Sequence, residues 1–222
     1  MGKCLRWRNN MAKNILIFGA STTYGAWDIE GGWVARLRKF FDEKVITSNY
    51  RDQHLVYNLG VSGDKSRDIL KRFEGEMEAR FDLEEETIIL FHLGINDAIF
   101  NQKMNSVECS LEEFKENLTR LINLARKYSQ KIVVIGSMPV DKRVDPMPWA
   151  PGRSYKNEYV SKFNEIMEEV AKEQDIYFVE IYKRFIDKDY SDLLADGVHI
   201  TAEGHKAFFE IVKDFLLGSN II

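Results

Sequence analysis

Five short apolar runs, separated by longer amphipathic stretches, constrain this chain more than any other feature. Residues 14–18 (NILIF), 55–59 (LVYNL), 87–93 (TIILFHL), 131–136 (KIVVIG) and 176–181 (IYFVEI) are rich in β-branched and aromatic side chains, and turn or polar residues bound them. Runs of this length and kind read as buried strands. Between them, apolar positions recur at helical spacing. Residues 32–41 carry Trp33, Leu37, Phe40 and Phe41, and residues 66–81 carry Ile69, Leu70, Phe73 and Met77. Residues 110–128 carry Leu111, Phe114, Leu118, Leu121, Ile122 and Ala125; residues 155–172 carry Tyr159, Phe163, Ile166 and Val170; residues 201–217 carry Ala207, Phe208, Ile211, Val212 and Phe215. Strand and helix in alternation predict an α/β fold, a three-layer α/β/α sandwich around a five-stranded parallel sheet. With right-handed crossovers the expected strand order is 2-1-3-4-5.

A chain of 222 residues, 45% of them hydrophobic, fills the core of one domain, expected over residues 13–222. Residues 1–12 are basic and read as a loose tail, with Met11 an alternative start to Met1. The net charge is −4, from 31 basic and 35 acidic residues, with no long block of one sign. A nucleic-acid partner would need a basic stripe, so none is expected. Cys4 and Cys109 form no CxxC and no Cys/His cluster of metal spacing, which predicts reduced thiols and no metal site. No apolar stretch is long enough to span a bilayer, and no signal core follows the basic start; a cytoplasmic protein is expected. Oligomeric state leaves no signature.

In a parallel α/β sheet, ligands bind beyond the carboxyl ends of the strands. Ser21 follows the first run, in "ILIFGASTTYGAWD", and Gly60 closes the second, in "NLGVSGDKS". Asn96 and Asp97 follow the third in "GIND", and Asp196 and His199 stand in "DGVH" ahead of the last helix. Taken singly, Ser21 reads more readily as a helix cap or turn residue, Gly60 as a turn glycine, Asn96 as a loop residue and "DGVH" as a turn with Thr201 capping the helix. Taken together, they are the parts of an acyl-transfer site. A serine hydroxyl needs a base, which His199 supplies, and a carboxylate such as Asp196 fixes the imidazole tautomer. The Ser21 and Gly60 N–H groups and the Asn96 carboxamide are candidate oxyanion donors, with glycine at 60 letting the backbone approach substrate. Tyr24, Trp27, Trp149 and Tyr155 are candidate cleft residues, and the proline-bearing stretch 137–154 is a candidate lid or wall.

These blocks resemble the SGNH hydrolases, also called GDSL-type esterases and lipases. The four letters stand in order as Ser21, Gly60, Asn96 and His199, and the resemblance runs from Ile15 to Phe215. "GIND" matches the third block, GxND, and "DGVHITAEGH" is similar to the last, DxxH and its helix. One departure is Ala20, where the family's Gly-Asp-Ser block has aspartate. The resemblance implies a flavodoxin-like SGNH fold and a triad of Ser21, Asp196 and His199. It implies an oxyanion hole of Ser21, Gly60 and Asn96, and neither metal nor organic cofactor. It implies a small-molecule ester substrate, and since no membrane anchor or long apolar lid is evident, short-chain esters, acetylated carbohydrates among them, are expected. Lysophospholipase, thioesterase, acyltransferase and a non-catalytic binding module on the same fold are the alternatives.

A dinucleotide site is disfavoured because Ser21 stands at the second glycine of GxGxxG and no acid ends the second run; a P-loop fails because Ala26 follows Gly25. Among the other polar residues, His92 is expected to be packed in the third strand and His205 to be a structural or surface residue. His54 is expected to be exposed, and Asp97 to brace its loop.

Overall fold

The computed structural model describes residues 12–222. The central sheet holds β1 (Lys13–Gly19), β2 (His54–Gly60), β3 (Glu86–His92), β6 (Lys131–Ile135) and β8 (Tyr177–Val179). Its order is β2-β1-β3-β6-β8 and every pairing is parallel, the 2-1-3-4-5 arrangement expected from the sequence. The crossovers run through α2 (Gly32–Thr47), α3 (Ser66–Arg80), α4 (Leu111–Ala125) and α5 (Asn157–Glu173), and α7 (Ala202–Gly218) closes the chain. The short helices α1 (Ser21–Tyr24) and α6 (Tyr182–Phe185) follow β1 and β8. Ala12, placed in the expected tail, is already on the sheet: it is buried and its carbonyl accepts the Glu86 N–H (3.0 Å). The rest of that tail, with Cys4 and Met11, lies outside the described residues.

Alternation along each strand builds two cores. Leu16 and Phe18 of β1, with Ile89 and Phe91 of β3, face α3, α4 and α5. Ile15 and Ile17, with Ile88 and Leu90, face α2 and α7. In β1, β3 and β6 both faces are covered, so these runs are apolar throughout instead of alternating, whereas the edge strands β2 and β8 leave Leu55 and Tyr177 exposed. Phe18 packs against Phe73 at 5.0 Å on one side of the sheet, and Trp33 against Phe208 at 5.2 Å on the other. Each such side chain contributes about 1.5–3 kcal/mol of burial free energy. Along α7 the fully covered seam is His205, Phe208, Val212 and Leu216, whereas Ala207, Ile211 and Phe215 are only partly covered.

Two further features depart from the sequence reading. His54 is not exposed: it opens β2, is 2% exposed, and stacks on Phe41 at 4.6 Å. The strand begins one residue before its apolar run, and α2 covers that end of it. The second feature is a small antiparallel sheet, ordered β5-β4-β7, of β4 (Phe100–Asn101), β5 (Ser106–Val107) and β7 (Arg153–Ser154). Strands of two residues are too short for periodicity to register. This sheet ties the segment after β3 to the end of the proline-bearing stretch. Glu108 pairs with Lys65 (2.7 Å) and Arg153 (2.9 Å) beside it.

Three buried imidazoles make this fold sensitive to acid. Burial lowers the pKa of His54 and of His205, and burial with the nearby His205 charge drops His92 to about 3. A ring whose folded pKa is depressed contributes fully above the unfolded value of about 6.5, and that contribution is lost as pH falls toward the folded value. Urea midpoints are expected to fall from pH 7 to pH 4.5. His54 Nε2 has no hydrogen-bond partner among the described residues, and Nδ1 meets Asp52 only at 3.4 Å, so His54→Phe removes a proton site at the cost of one long contact to a half-buried residue. A shallower pH slope is expected in that variant, and an unchanged slope would contradict the assignment.

Candidate active site

The carboxyl ends of three strands meet in one row, Gly19 of β1 opposite Gly60 of β2 and His92 of β3. Strand order reverses here, with β2 on one side of β1 and β3 on the other, which opens a crevice beyond the strand ends. Ser21 enters it as the first residue of α1. A helix of one turn does not hold itself together, and Ala20 ahead of it has no side chain to cap it. Its anchors are tertiary. Thr23 Oγ1 lies 3.0 Å from His92 Nδ1, and Asn58 Nδ2 donates to the Thr23 carbonyl (2.9 Å).

The glycines explain the rest of that docking. A Cβ on Gly60 would stand 2.3 Å from the Tyr24 nitrogen and 2.8 Å from the Thr23 carbonyl carbon; one on Gly19 would stand 2.6 Å from the His92 oxygen. Glycine at 60 is therefore demanded by the approach of α1, a requirement the sequence reading did not see. Its N–H donates to Asn58 Oδ1 (3.0 Å).

His199 arrives on the loop before α7, 178 positions after Ser21. Its Nε2 lies 3.0 Å from Ser21 Oγ, and its Nδ1 lies 2.7 Å from Asp196 Oδ2. A carboxylate only accepts, so Nδ1 carries the proton and bare Nε2 is left to accept the serine hydroxyl. Asp196 Oδ1 accepts the Val198 (3.1 Å) and His199 (2.9 Å) N–H groups. Burial alone would raise the Asp196 carboxyl. The hydrogen bonds from the His199 ring, the His199 and Val198 amides, and the His199 charge outweigh burial and hold it far below the usual carboxylate range. The stretch 137–154 steadies this loop. The Asp141 N–H donates to the Gly197 carbonyl (3.0 Å), and Arg143, paired with Asp141, donates to the Ala195 (3.1 Å) and Leu194 (2.9 Å) carbonyls.

Asn96 is nearly buried, and its carboxamide has one orientation. Nδ2 donates to the Asp64 carbonyl (3.0 Å), and Oδ1 accepts the Tyr155 hydroxyl (2.7 Å). Burial pushes the Tyr155 phenol up, so it stays a donor. Asp97 braces the loop, accepting the Ser66 N–H (3.0 Å) and hydroxyl (2.6 Å). Burial raises its carboxyl, and the Ser66 bonds oppose that. Ser21, Asn96 and His199 line a cleft of about 600 Å³, walled by Tyr24, Trp27, Trp149 and Tyr155. Gly60 is not among its lining residues, and neither are His92 and His205, both buried behind it. Sequence reasoning missed Thr23, Asn58 and Arg143. Asn58 sits in the "NLG" stretch, but its bonds to α1 leave no local signal.

The sequence matches the GDSL-like Lipase/Acylhydrolase family over residues 17–207. The chain belongs to that family. It is a GDSL-type hydrolase, as the SGNH resemblance implied. It is 24% identical over 212 residues to the isoamyl acetate-hydrolyzing esterase of Saccharomyces cerevisiae, covering 89% of this chain and 83% of that protein. It is 24% identical over 234 residues to the uncharacterized lipoprotein YqeF of Bacillus subtilis, covering 91% of this chain and 88% of that one. The crystal structure of the acetyl xylan esterase AlAXEase superposes with a TM-score of 0.69 at 18% identity, over 90% of this chain and 98% of that one. Among the described residues, no helix is long and apolar enough to cross a membrane.

Gly60→Ala tests the docking of α1. The new methyl meets backbone and must displace it, at a cost of about 1–3 kcal/mol. Displacing Ser21 by even part of an ångström is expected to lower turnover by about tenfold or more. Thermal melts and ester-hydrolysis rates of the variant check both, and wild-type values in both would show that α1 has room to move.

Proposed function

We propose that this chain is a serine esterase that hydrolyses short-chain carboxylic esters, acetylated carbohydrates among them, through an acyl-enzyme on Ser21. The observation that carries the reading is the relay from Ser21 Oγ to His199 Nε2 (3.0 Å) and from His199 Nδ1 to Asp196 Oδ2 (2.7 Å). In this reading Ser21 Oγ attacks the ester carbonyl carbon as its proton passes to His199 Nε2. Asp196 holds the imidazolium that forms. Collapse of the tetrahedral adduct expels the alcohol, which takes the proton from His199. Water then repeats the sequence on the acyl-enzyme and releases the acid.

The oxyanion is assigned to the Ser21 N–H and Asn96 Nδ2, the latter oriented by Tyr155. Gly60 joins them by exchanging Asn58 Oδ1 for the oxyanion. Each donor is worth about 10²–10³ in kcat.

Two observations support a short acyl group. The cleft is open, with Tyr24 61%, Trp27 66% and Trp149 52% exposed at its walls. It therefore offers an acyl chain no enclosed channel, and it presents aromatic rings to the alcohol portion. The yeast relative and the structural neighbour are both named for acetate esters. A cytoplasmic location belongs to the same reading, supported by two cysteines without a disulfide pattern. The Bacillus relative is named a lipoprotein, which is the alternative.

One assay series tests the proposal. With p-nitrophenyl acetate, Ser21→Ala and His199→Ala are each expected to lose at least about 10³-fold in kcat, as members of a unit. Across acyl chains from acetate to laurate, kcat/KM is expected to peak at the shortest and to fall about tenfold by octanoate. Ser21→Ala at the wild-type rate would leave only a binding module.

A further inference from the structure

The indole of Trp27 makes a contact that a cleft wall does not need. Its Nε1 lies 3.0 Å from Asp196 Oδ2, the oxygen that also accepts from His199 Nδ1. Its ring meets the His199 imidazole edge-on, 5.4 Å between centroids at 78°. We propose that Trp27 is a positioning residue: its indole N–H is the fourth donor to Asp196, locking the carboxylate plane and sharing Oδ2 with His199. This rests on the esterase reading above.

The backbone argues that the contact is built. Trp27 has φ +67°, a left-handed conformation that side chains of this size rarely adopt. Gly25 and Gly31, also left-handed, bracket the turn. Asp28 ties it down by accepting the Glu30 (3.0 Å) and Gly32 (3.2 Å) N–H groups and by pairing with Arg36. His205 Nε2, 3.3 Å from the Ala26 carbonyl, holds the preceding residue. Apolar burial does not account for this placement, because Trp27 is 66% exposed. The polar end of the ring does: the two Asp196 oxygens accept four donors, Val198 N and His199 N on Oδ1, His199 Nδ1 and Trp27 Nε1 on Oδ2.

The consequence is electrostatic as well as geometric. An N–H donated to Oδ2 takes up charge that would otherwise hold the proton on His199. Removing it leaves Oδ2 to the imidazolium alone and frees the carboxylate to rotate. The other charged and titratable groups that reach this pair are Asp141 and Arg143 from the 137–154 stretch, Tyr155 ahead of α5, and His205 from α7.

Trp27→Phe keeps an aromatic wall and deletes the donor. In ester hydrolysis its kcat is expected to fall about tenfold with KM within about twofold of wild type, and the acid limb of kcat to move to higher pH. A raised KM with the acid limb in place would reduce Trp27 to a wall, and unchanged kinetics would equally overturn the proposal. A spectroscopic readout stands apart from turnover. The ¹⁵N-indole resonance of Trp27, assigned by its loss in Trp27→Phe, is expected to titrate with the same midpoint as the ring of His199, in wild type and in Ser21→Ala alike. An indole signal that stays flat while His199 titrates would overturn the proposal even if the variant folds poorly. Full activity in Ser21→Ala would instead remove the esterase reading, and the indole titration would still report whether Trp27 is coupled to the pair.

Discussion

The seating of a one-turn helix on the ends of three strands is the constraint on which the rest of the site depends. α1 lacks the length to be stable alone and lacks a side-chain cap, so everything that fixes Ser21 comes from elsewhere. The sheet register brings Gly19, Gly60 and His92 into one row, and the two bare Cα positions let α1 settle against the strand ends. His92 and Asn58 then bind it from β3 and β2, both through Thr23. A hydroxyl held this way has little freedom left to lose, which in the proposed reaction is where much of the rate advantage would lie.

The second half of the site is held by a different part of the chain. The loop of Asp196 and His199 has little regular structure, yet its carbonyls are claimed by Arg143 and its Gly197 by the Asp141 amide. The 137–154 stretch thus does two jobs: it walls the cleft with Trp149 and it keeps the carboxylate–imidazole pair in place. Asn96 is treated similarly, its amide orientation set by Tyr155 from one side and Asp64 from the other. Each polar group of the candidate site is backed by a residue distant in sequence, as a low-mobility polar site requires.

How much of this was legible in the sequence follows the range of the interactions. The inner strands β1, β3 and β6 were readable because burial on both faces makes each a continuous apolar run, and the edge strands β2 and β8 by their β-branched and aromatic content. Their order follows from chirality and chain connection. Thr201 was readable as a cap because its bond to the Gly204 N–H is local (3.2 Å). The strands β4, β5 and β7 were not, since two residues carry no period and the β4–β7 pairing joins residues some fifty positions apart. His54 was misread because a strand end looks like a loop until the helix that covers it is in place. Arg143, an ordinary charged residue in the sequence, is a clamp only because its loop folds back over residues 194–197.

The sequence by itself determined the α/β architecture, the strand order and the identity of the groups gathered at one sheet edge: Ser21, Gly60, Asn96, Asp196 and His199. It did so because hydrophobic periodicity and residue chemistry are properties of the chain. Tertiary structure alone decided that Gly60 serves the packing of α1, that Asn58 occupies its N–H, and that Tyr155 orients Asn96. It also decided that Trp27 reaches Asp196 across 169 positions. Those outcomes are distances and directions between segments remote in sequence, and only the packed sheet and its loops set them.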